Sequence, residues 1–146
     1  MIALADADAT RALGARLGAA LTPGDVVCLS GGLGAGKTTL ARGAIAVWTG
    51  SDAEAPSPTY TLVQTYEGAK GALWHVDLYR LKQPEDAFEL GLEEAFEDAA
   101  SLIEWPERLG RALPANRLDL ELTPEGEGRR AVLTGVGAWK ARLDAI

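Results

Sequence analysis

The chain has 146 residues, a length typical of one domain, and 47% of them are hydrophobic while 24% are charged. This composition predicts a folded core and excludes a disordered or fibrous protein. The formal net charge of −7 disfavours direct binding to nucleic acid through a basic surface. A single cysteine, Cys28, excludes a disulfide framework within the chain; we expect a buried thiol and a reducing compartment.

The start of the sequence predicts no secretory signal, because residues 1–5 carry no basic side chain and Asp6 and Asp8 follow directly. No apolar run approaches the roughly 20 residues that span a bilayer. We therefore expect a cytoplasmic protein without a membrane segment, folded as one domain over residues 1–146.

Apolar spacing and turn residues predict alternating helices and strands. The first half comprises a helix carrying Leu13, Leu17 and Leu21 with Asp8 or Thr10 at its start, a turn over 22–25, a buried strand over 26–30, a glycine-rich loop over 31–36 and a helix over 37–48. The second half comprises a hairpin over 61–79, a helix over 85–98 interrupted at Gly91, a strand over 101–104 ended by Pro106, a hairpin over 118–136 turning at 124–128, and a helix over 138–145. This order implies an α/β sandwich with a mixed sheet.

The glycine-rich loop has the Walker A pattern, with Gly31 followed after four positions by Gly36, Lys37 and Thr38. Glycines let backbone N–H groups close on phosphate oxygens, and the following helix directs its positive end at them. Lys37 adds a full positive charge, and the Thr38 hydroxyl is a ligand for Mg²⁺. We therefore predict a three-layer P-loop NTPase-like sandwich that binds ATP and Mg²⁺. The predicted nucleotide-binding residues of the loop are Gly34, Ala35, Gly36, Lys37, Thr38 and Thr39.

A phosphate loop also needs an acid that holds Mg²⁺ or orients water. Glu104 ends a predicted strand, where such a metal-binding acid is expected. Strand alternation puts His75, Asp77 and Tyr79 on one face of their strand. Asp77 is either a catalytic acid or a structural hydrogen-bond acceptor, and a lone histidine such as His75 is more often structural. The loop that contains Thr59 either folds over the γ-phosphate as a switch or is a plain proline turn.

Four segments together resemble the TsaE family in their order and spacing. They are Gly34-Ala35-Gly36-Lys37-Thr38-Thr39, Ser57-Pro58-Thr59-Tyr60-Thr61-Leu62-Val63, His75-Val76-Asp77-Leu78-Tyr79-Arg80-Leu81 and Leu102-Ile103-Glu104-Trp105-Pro106-Glu107. Many families share the first segment, whereas the combination is specific. The resemblance implies an ATPase needed for threonylcarbamoyladenosine in tRNA. It would act on a complex of two partner proteins, TsaB and TsaD, and meet tRNA only through that complex.

The resemblance also implies roles for individual residues. It makes Lys37, Asp77 and Thr59 catalytic, gives Mg²⁺ to Thr38 and Glu104, and places Trp105 and Thr10 beside the nucleotide. One departure is Gly32, which stands where the family usually has an acid, so a role of that acid is not expected here.

Two other functions fit the same loop. A small-molecule kinase usually needs an arginine-bearing lid, and the paired arginines Arg129 and Arg130 lie in a predicted turn instead. A nucleotide-sensing binding module without useful turnover is the third interpretation, while a GTPase is disfavoured by the lack of an Asn-Lys-x-Asp motif. Residues 83–107 contain nine acids and no lysine or arginine. They form either a solvated helical face or a docking surface for a basic partner.

Overall fold

The structure is a computed structural model that describes residues 2–32, 36–51 and 62–146, except for the side chains of Phe88 and Ala145. Its strands are β1 (Ile2–Leu4), β2 (Val26–Ser30), β3 (Val63–Gly68), β4 (Gly71–Asp77), β5 (Ala100–Glu104), β6 (Arg117–Glu125) and β7 (Gly128–Val136). Its α-helices are α1 (Ala7–Ala20), α2 (Lys37–Thr49), α3 (Asp86–Glu89) and α4 (Leu92–Asp98). Shorter 3-10 helices cover Pro106–Ala112, Gly137–Ala141 and Leu143–Ala145.

All seven strands form one mixed sheet in the order β1-β7-β6-β2-β5-β4-β3. Strand β2 runs parallel to β5 and β6, and β4 runs parallel to β5, while the remaining pairs are antiparallel. Glu104 pairs in register with Leu29 on one side and with Asp77 on the other. The carboxyl ends of three neighbouring parallel strands therefore meet at one edge, where open α/β sheets bind their ligands.

Both faces of the sheet are covered, which gives the predicted three-layer α/β architecture. On one face Val27, Leu29 and Leu102 pack with Leu13 of α1 and Leu40 of α2. The opposite face carries a second core, in which strand residues pack against α3, α4 and the 3-10 helix that follows β5. Its members include Val26, Cys28, Ile103, Ala87, Leu92 and Leu109. Strand β2 is apolar on both faces because it lies between these layers, and the prediction of a buried Cys28 is confirmed.

Helices α1 and α2 approach each other closely along a contact lined by glycines. A Cβ atom at Gly14 would collide with the backbone carbonyl of Leu40, and one at Gly43 would collide with the carbonyl of Arg11. The backbones of the two helices can touch at these positions only because no side chain separates them. This contact fixes the position of α2, and with it the residues at its N-terminus.

Most predicted elements are confirmed, and the differences concern a short strand, the first residue of a helix and the ends of strands. Strand β1 was not predicted because three residues are too few to show a period; it pairs antiparallel with β7. The first helix is capped by Asp6, whose side chain accepts from the Ala9 N–H, and not by Asp8 or Thr10. Residue 61 of the predicted first hairpin lies outside the described residues.

Strand β4 ends at Asp77 and does not continue to Tyr79 as predicted. The side chain of Asp77 accepts a hydrogen bond from the Tyr79 N–H at 2.9 Å, which turns the chain out of the sheet. Tyr79 therefore does not share the strand face of His75 and Asp77. Pro106 begins a 3-10 helix after β5, where the fixed φ of proline suits the first position.

The second hairpin and the end of the chain also differ from the prediction. Strand β6 continues through Pro124 to Glu125, so the turn narrows to Gly126, at a φ of 60°, and Glu127. The predicted terminal helix is two 3-10 segments rather than one α-helix. A segment this short forms too few intrahelical hydrogen bonds to nucleate a stable α-helix.

None of the helices in the described ranges combines the length and the apolar character that crossing a bilayer requires.

Candidate functional site

The candidate site lies at the carboxyl ends of β2, β4 and β5, against the N-terminus of α2. Gly36 precedes α2 with a φ of 100°, a left-handed conformation that glycine adopts without steric cost. The helix then starts at Lys37, so the unpaired N–H groups of its first turn point toward this sheet edge. Of the predicted residues, Gly34, Ala35 and Thr59 lie outside the described part of the chain. The predictions on them stay predictions.

Lys37 is almost fully buried, with 5% of its surface exposed. Its ammonium donates to the carbonyl oxygen of Gly31 at 2.7 Å and lies 3.6 Å from the centroid of the Trp105 ring. Burial lowers the pKa of Lys37 below its usual range, and the negative charges of Glu104 and Asp77 oppose that shift. The cation is thus held with little solvation, in a place where an anion would be bound strongly.

Glu104 is the centre of the polar contacts at this edge. Its carboxylate accepts from the Thr38 hydroxyl, at 3.3 Å to Oε1 and 3.2 Å to Oε2, and Oε2 lies 2.6 Å from Nε2 of His75. Glu104 is 3% exposed, and His75 is fully buried. The structure therefore brings the two predicted magnesium ligands, Thr38 and Glu104, together from distant parts of the sequence.

Asp77 is the neighbour of Glu104 in the sheet and is 5% exposed. One of its carboxylate oxygens accepts the Tyr79 N–H, so the structural interpretation of Asp77 as a hydrogen-bond acceptor describes an observed contact. The position of Asp77 beside Glu104, at the same sheet edge, is also the one that a catalytic acid needs. That catalytic role stays a prediction.

Trp105 follows β5 with a φ of 60°, which is rare for a residue other than glycine. This backbone turn directs the indole over the ammonium of Lys37 and against the ring of Tyr79, at a centroid separation of 4.9 Å. Strained backbone of this kind persists where the surrounding structure enforces it, and it is concentrated at functional sites. Trp105 therefore lies beside Lys37 and Tyr79, and its place beside a bound nucleotide stays a prediction.

Thr10 reaches the site from α1. It is buried, its hydroxyl donates to the Asp6 carbonyl at 3.3 Å, and its methyl group faces Gly36. A cavity of about 220 Å³ opens here, and its lining joins α1 and the start of α2 to the β6–β7 turn. The lining residues are Asp6, Ala7, Thr10, Gly36, Thr39, Glu127, Gly128 and Arg129.

The contribution of Asp6 and of the β6–β7 turn to this cavity was missed by sequence reasoning. Arg129 was predicted to lie in a turn and belongs to β7, where its backbone pairs with Leu4 of β1. The signal that could have found it is the pair Arg129-Arg130 in an otherwise acidic chain. Its proximity to the first helix follows from the long-range pairing of β1 with β7.

The oxygen atoms at this edge fit a magnesium ion. Thr38 and Glu104 supply a hydroxyl and a carboxylate, the hard ligands that Mg²⁺ prefers. In residues 2–32, 36–51 and 62–146 there is no group of three or more His, Cys, Asp or Glu side chains arranged to hold a metal by themselves. Magnesium in nucleotide sites is held by one or two protein groups together with phosphate oxygens and water, so this pair is sufficient.

The chain combines a buried strand, a Walker loop, a helix whose first residues are Lys37 and Thr38, and an acid on the neighbouring strand. This combination defines a domain of the P-loop NTPase-like class. Comparison with known proteins gives the family. The model of the family described as "Threonylcarbamoyl adenosine biosynthesis protein TsaE" matches residues 4–132. The chain therefore belongs to the TsaE family, and the resemblance found in its motifs is confirmed.

Individual relatives agree with this family. The chain is 39% identical over 136 residues to the tRNA threonylcarbamoyladenosine biosynthesis protein TsaE of Rickettsia felis, covering 92% of this chain and 80% of the relative. It is 35% identical over 130 residues to the same protein of Bacillus subtilis, covering 88% and 80%. The crystal structure of YdiB from Bacillus subtilis superposes with a TM-score of 0.80 at 29% identity, covering 98% of this chain and 89% of that one.

Proposed function

We propose that this chain is a magnesium-dependent ATPase required for threonylcarbamoyladenosine modification of tRNA, and that it acts on a complex of TsaB and TsaD. The names of the relatives support the modification. The observation that carries the ATPase is the contact of Thr38 with Glu104 beside the buried ammonium of Lys37. A hydroxyl, a carboxylate and a lysine in this arrangement are the parts that a P-loop enzyme uses on a nucleoside triphosphate.

In this proposal the phosphates of ATP lie on the loop between Gly31 and Thr38. Lys37 exchanges its bond to the Gly31 carbonyl for phosphate oxygens, which its low solvation favours. Thr38 and Glu104 hold Mg²⁺, which when bound neutralises charge on the phosphate oxygens. The nucleoside occupies the cavity beside Thr10 and Thr39, which adjoins the start of α2.

Hydrolysis then requires a water molecule in line with the bond between the γ-phosphorus and its bridging oxygen. We assign Asp77 to orienting this water, because its carboxylate is buried beside Glu104 at the site edge. A catalytic role of Thr59 in this step stays what the family resemblance implies, because Thr59 lies outside the described residues. The bond to the bridging oxygen breaks as the water oxygen attacks, and the products are ADP and inorganic phosphate.

The two other functions predict different behaviour. A kinase would transfer the γ-phosphate to an added small-molecule acceptor. Its arginine lid has no counterpart in the paired arginines, because Arg129 and Arg130 pair with β1 and β6 inside the sheet. A nucleotide-sensing module would bind ATP, and its slow hydrolysis would not respond to partners. The proposed ATPase hydrolyses ATP slowly alone and faster with TsaB and TsaD.

Partner docking is part of the same proposal. The helices α3 and α4 carry exposed acids, among them Glu89, Glu93, Glu94 and Glu97, and lie in a stretch of sequence, residues 83–107, that has no lysine or arginine. A basic partner surface would be attracted to it. We propose that this acidic face contacts the partner complex. The alternative is a solvated face that binds no partner, and measuring the interaction at low and at high salt distinguishes the two.

The deciding experiment is reconstitution of the tRNA modification with and without this chain, together with ATP hydrolysis in the presence of TsaB and TsaD. We expect Glu104→Ala to abolish both activities, because the site loses its carboxylate, while binding to the partners persists. Glu67→Ala, which removes an exposed acid of β3, is the matched control and should behave as wild type. Wild-type activity of Glu104→Ala, or no stimulation of hydrolysis by competent partners, would contradict the proposal.

A further inference from the structure

We propose that His75 is a positioning residue that holds the Glu104 carboxylate in the orientation needed to bind a divalent cation next to ATP. The inference rests on the proposed function and adds a residue to its site. Among the described residues, no hydrogen bond joins His75 to the phosphate loop, so the proposed role acts through Glu104.

The two side chains are fixed by adjacent strands. His75 pairs with Leu102 between parallel strands β4 and β5, so Glu104 lies two residues further along on the same face. His75 has no exposed surface, and its Nε2 lies 2.6 Å from Oε2 of Glu104. An imidazole enclosed in the sheet core has little freedom to rotate, so it is a rigid donor.

The direction of this hydrogen bond follows from the partner. A carboxylate that binds a cation only accepts, so in the proposed role Nε2 carries the hydrogen and donates it to Oε2. A donor at this distance from a carboxylate makes a strong, charge-assisted bond. A glutamate has three rotatable side-chain bonds, and fixing Oε2 limits the orientations of the whole carboxylate. The Thr38 hydroxyl lies 3.3 Å from Oε1 and 3.2 Å from Oε2, so the fixed carboxylate stays turned toward Thr38 while Oε1 keeps lone pairs for a cation.

The second ring nitrogen of His75 gives a reason to assign a positioning role and not simple packing in the core. Nδ1 of His75 is buried without a hydrogen-bond partner among the described residues. A buried polar atom without a partner costs free energy that an apolar side chain of similar size would avoid. In the part of the chain that the structure describes, the bond to Glu104 is the one polar contact that offsets this cost. Groups that orient a metal ligand typically change metal affinity by about 10- to 100-fold when removed.

The test uses three variants of the full chain. His75→Leu removes the donor and keeps an apolar side chain of comparable reach. His75→Gln places an amide N–H near the position of Nε2 and should restore the contact. Ser101→Ala is the matched control, because Ser101 is also buried, with a hydroxyl that lacks a described partner, but it lies on the opposite face of β5.

The measurements are binding of a fluorescent ATP analogue in EDTA, and the Mg²⁺ or Mn²⁺ concentration needed for half-saturation of the nucleotide-bound protein. We expect His75→Leu to raise the metal requirement about 10- to 100-fold, with unchanged nucleotide affinity in EDTA. His75→Gln and Ser101→Ala should stay within a few-fold of wild type. Thermal unfolding without metal checks that each variant folds, and His75→Asn, whose amide is too short to reach Glu104, replaces His75→Leu if that variant does not.

Two failures are separable. In the first, wild type binds the nucleotide with a metal requirement, and His75→Leu, or His75→Asn in its place, has the same metal requirement. The positioning role is then wrong and the proposed ATPase stands. If wild type binds no nucleotide, or binds it without any effect of metal, the proposed function itself fails. A weaker nucleotide affinity in EDTA that accounts for the whole effect of the variant would also overturn the inference, because it would indicate a general distortion of the site.

Discussion

The ammonium of Lys37 lies 3.6 Å from the centroid of the Trp105 ring while it donates to the Gly31 carbonyl. The Walker lysine is thus held by two neutral groups, a π face and a carbonyl, which bind a cation less strongly than phosphate does. A cation over a partly desolvated indole gains about 1–2 kcal/mol. This gain offsets part of the strain of the left-handed backbone at Trp105.

Binding of ATP should therefore be visible in the fluorescence of Trp105. When Lys37 turns to the phosphates, the charge over the indole moves, and the emission of the protein should change. We expect Trp105→Phe to lose most of this change. Trp74→Phe removes an indole that packs against the same core but lies beside Ser101 within the sheet and not over Lys37, and it should retain the change. A full fluorescence response in Trp105→Phe would contradict a movement of Lys37 relative to this ring.

The glycine contact between α1 and α2 should not accept a methyl group. A Cβ at Gly14 would overlap the Leu40 carbonyl, which is backbone and cannot rotate away. We expect Gly14→Ala to lower the free energy of unfolding by about 1–3 kcal/mol, despite the better helix propensity of alanine. Urea unfolding measures this loss. Gly32→Ala is the control, because nothing lies within 4 Å of its Cβ position, and an equal loss in both variants would rule out the steric explanation.

The end of the chain is attached to the start of β2 by a pair whose effect should depend on pH. Arg142 donates to both carboxylate oxygens of Asp25 at 2.6 and 2.8 Å and lies over the Trp139 ring. Burial alone would raise the pKa of Asp25, but the bonds from Arg142 and Thr22 outweigh it and lower the pKa below 3.8. Because the folded pKa is lowered, this stabilisation is present above the unfolded value and is lost as pH falls through the folded value.

We expect Arg142→Leu to lower the free energy of unfolding by about 1–2 kcal/mol at pH 7, a modest value because the arginine is partly exposed. The variant should also lose less stability than wild type between pH 5 and about pH 2, since Asp25 then titrates closer to its unfolded value. Denaturant unfolding at several pH values measures both effects. Arg130→Leu, which removes an exposed pair with Glu125 at 3.6 Å, should change stability by less than about 0.5 kcal/mol. A loss as large as that in Arg142→Leu would contradict a special role of the Asp25 pair.

Cys28 should be chemically silent in the folded protein. Burial, reinforced by the negative charge of Asp119, raises the pKa of its thiol to about 12. Because the thiolate is the reactive species, alkylation at pH 8 should be at least about 100-fold slower than in denaturant. The raised pKa also means that stability falls as pH rises above the unfolded value of 9.0. Rapid labelling under native conditions, at a rate independent of global unfolding, would show that the strand opens locally.

The glycine-rich segment shows which structural features can be predicted from the sequence alone. The Walker loop, the buried strand before it and the helix after it were predicted from adjacent residues, because each depends on local chemistry. Period-2 alternation placed His75 and Asp77 on one face of β4 in the same way. The family followed from four motifs and needed no coordinates. Shorter segments, such as β1 and the terminal 3-10 helices, carried too little periodic signal.

The sequence by itself determined the class of fold, and it predicted the phosphate loop and the candidate site residues, because turn chemistry, helix starts and strand alternation act over a few neighbouring positions. Only the tertiary structure decided which residues touch. The bond of His75 to Glu104, the Trp105 ring over Lys37, the approach of Arg129 to α1 and the pair of Asp25 with Arg142 all join distant segments. Such contacts depend on strand order and register, which are set by the packing of the whole chain and leave no mark in any one stretch of residues.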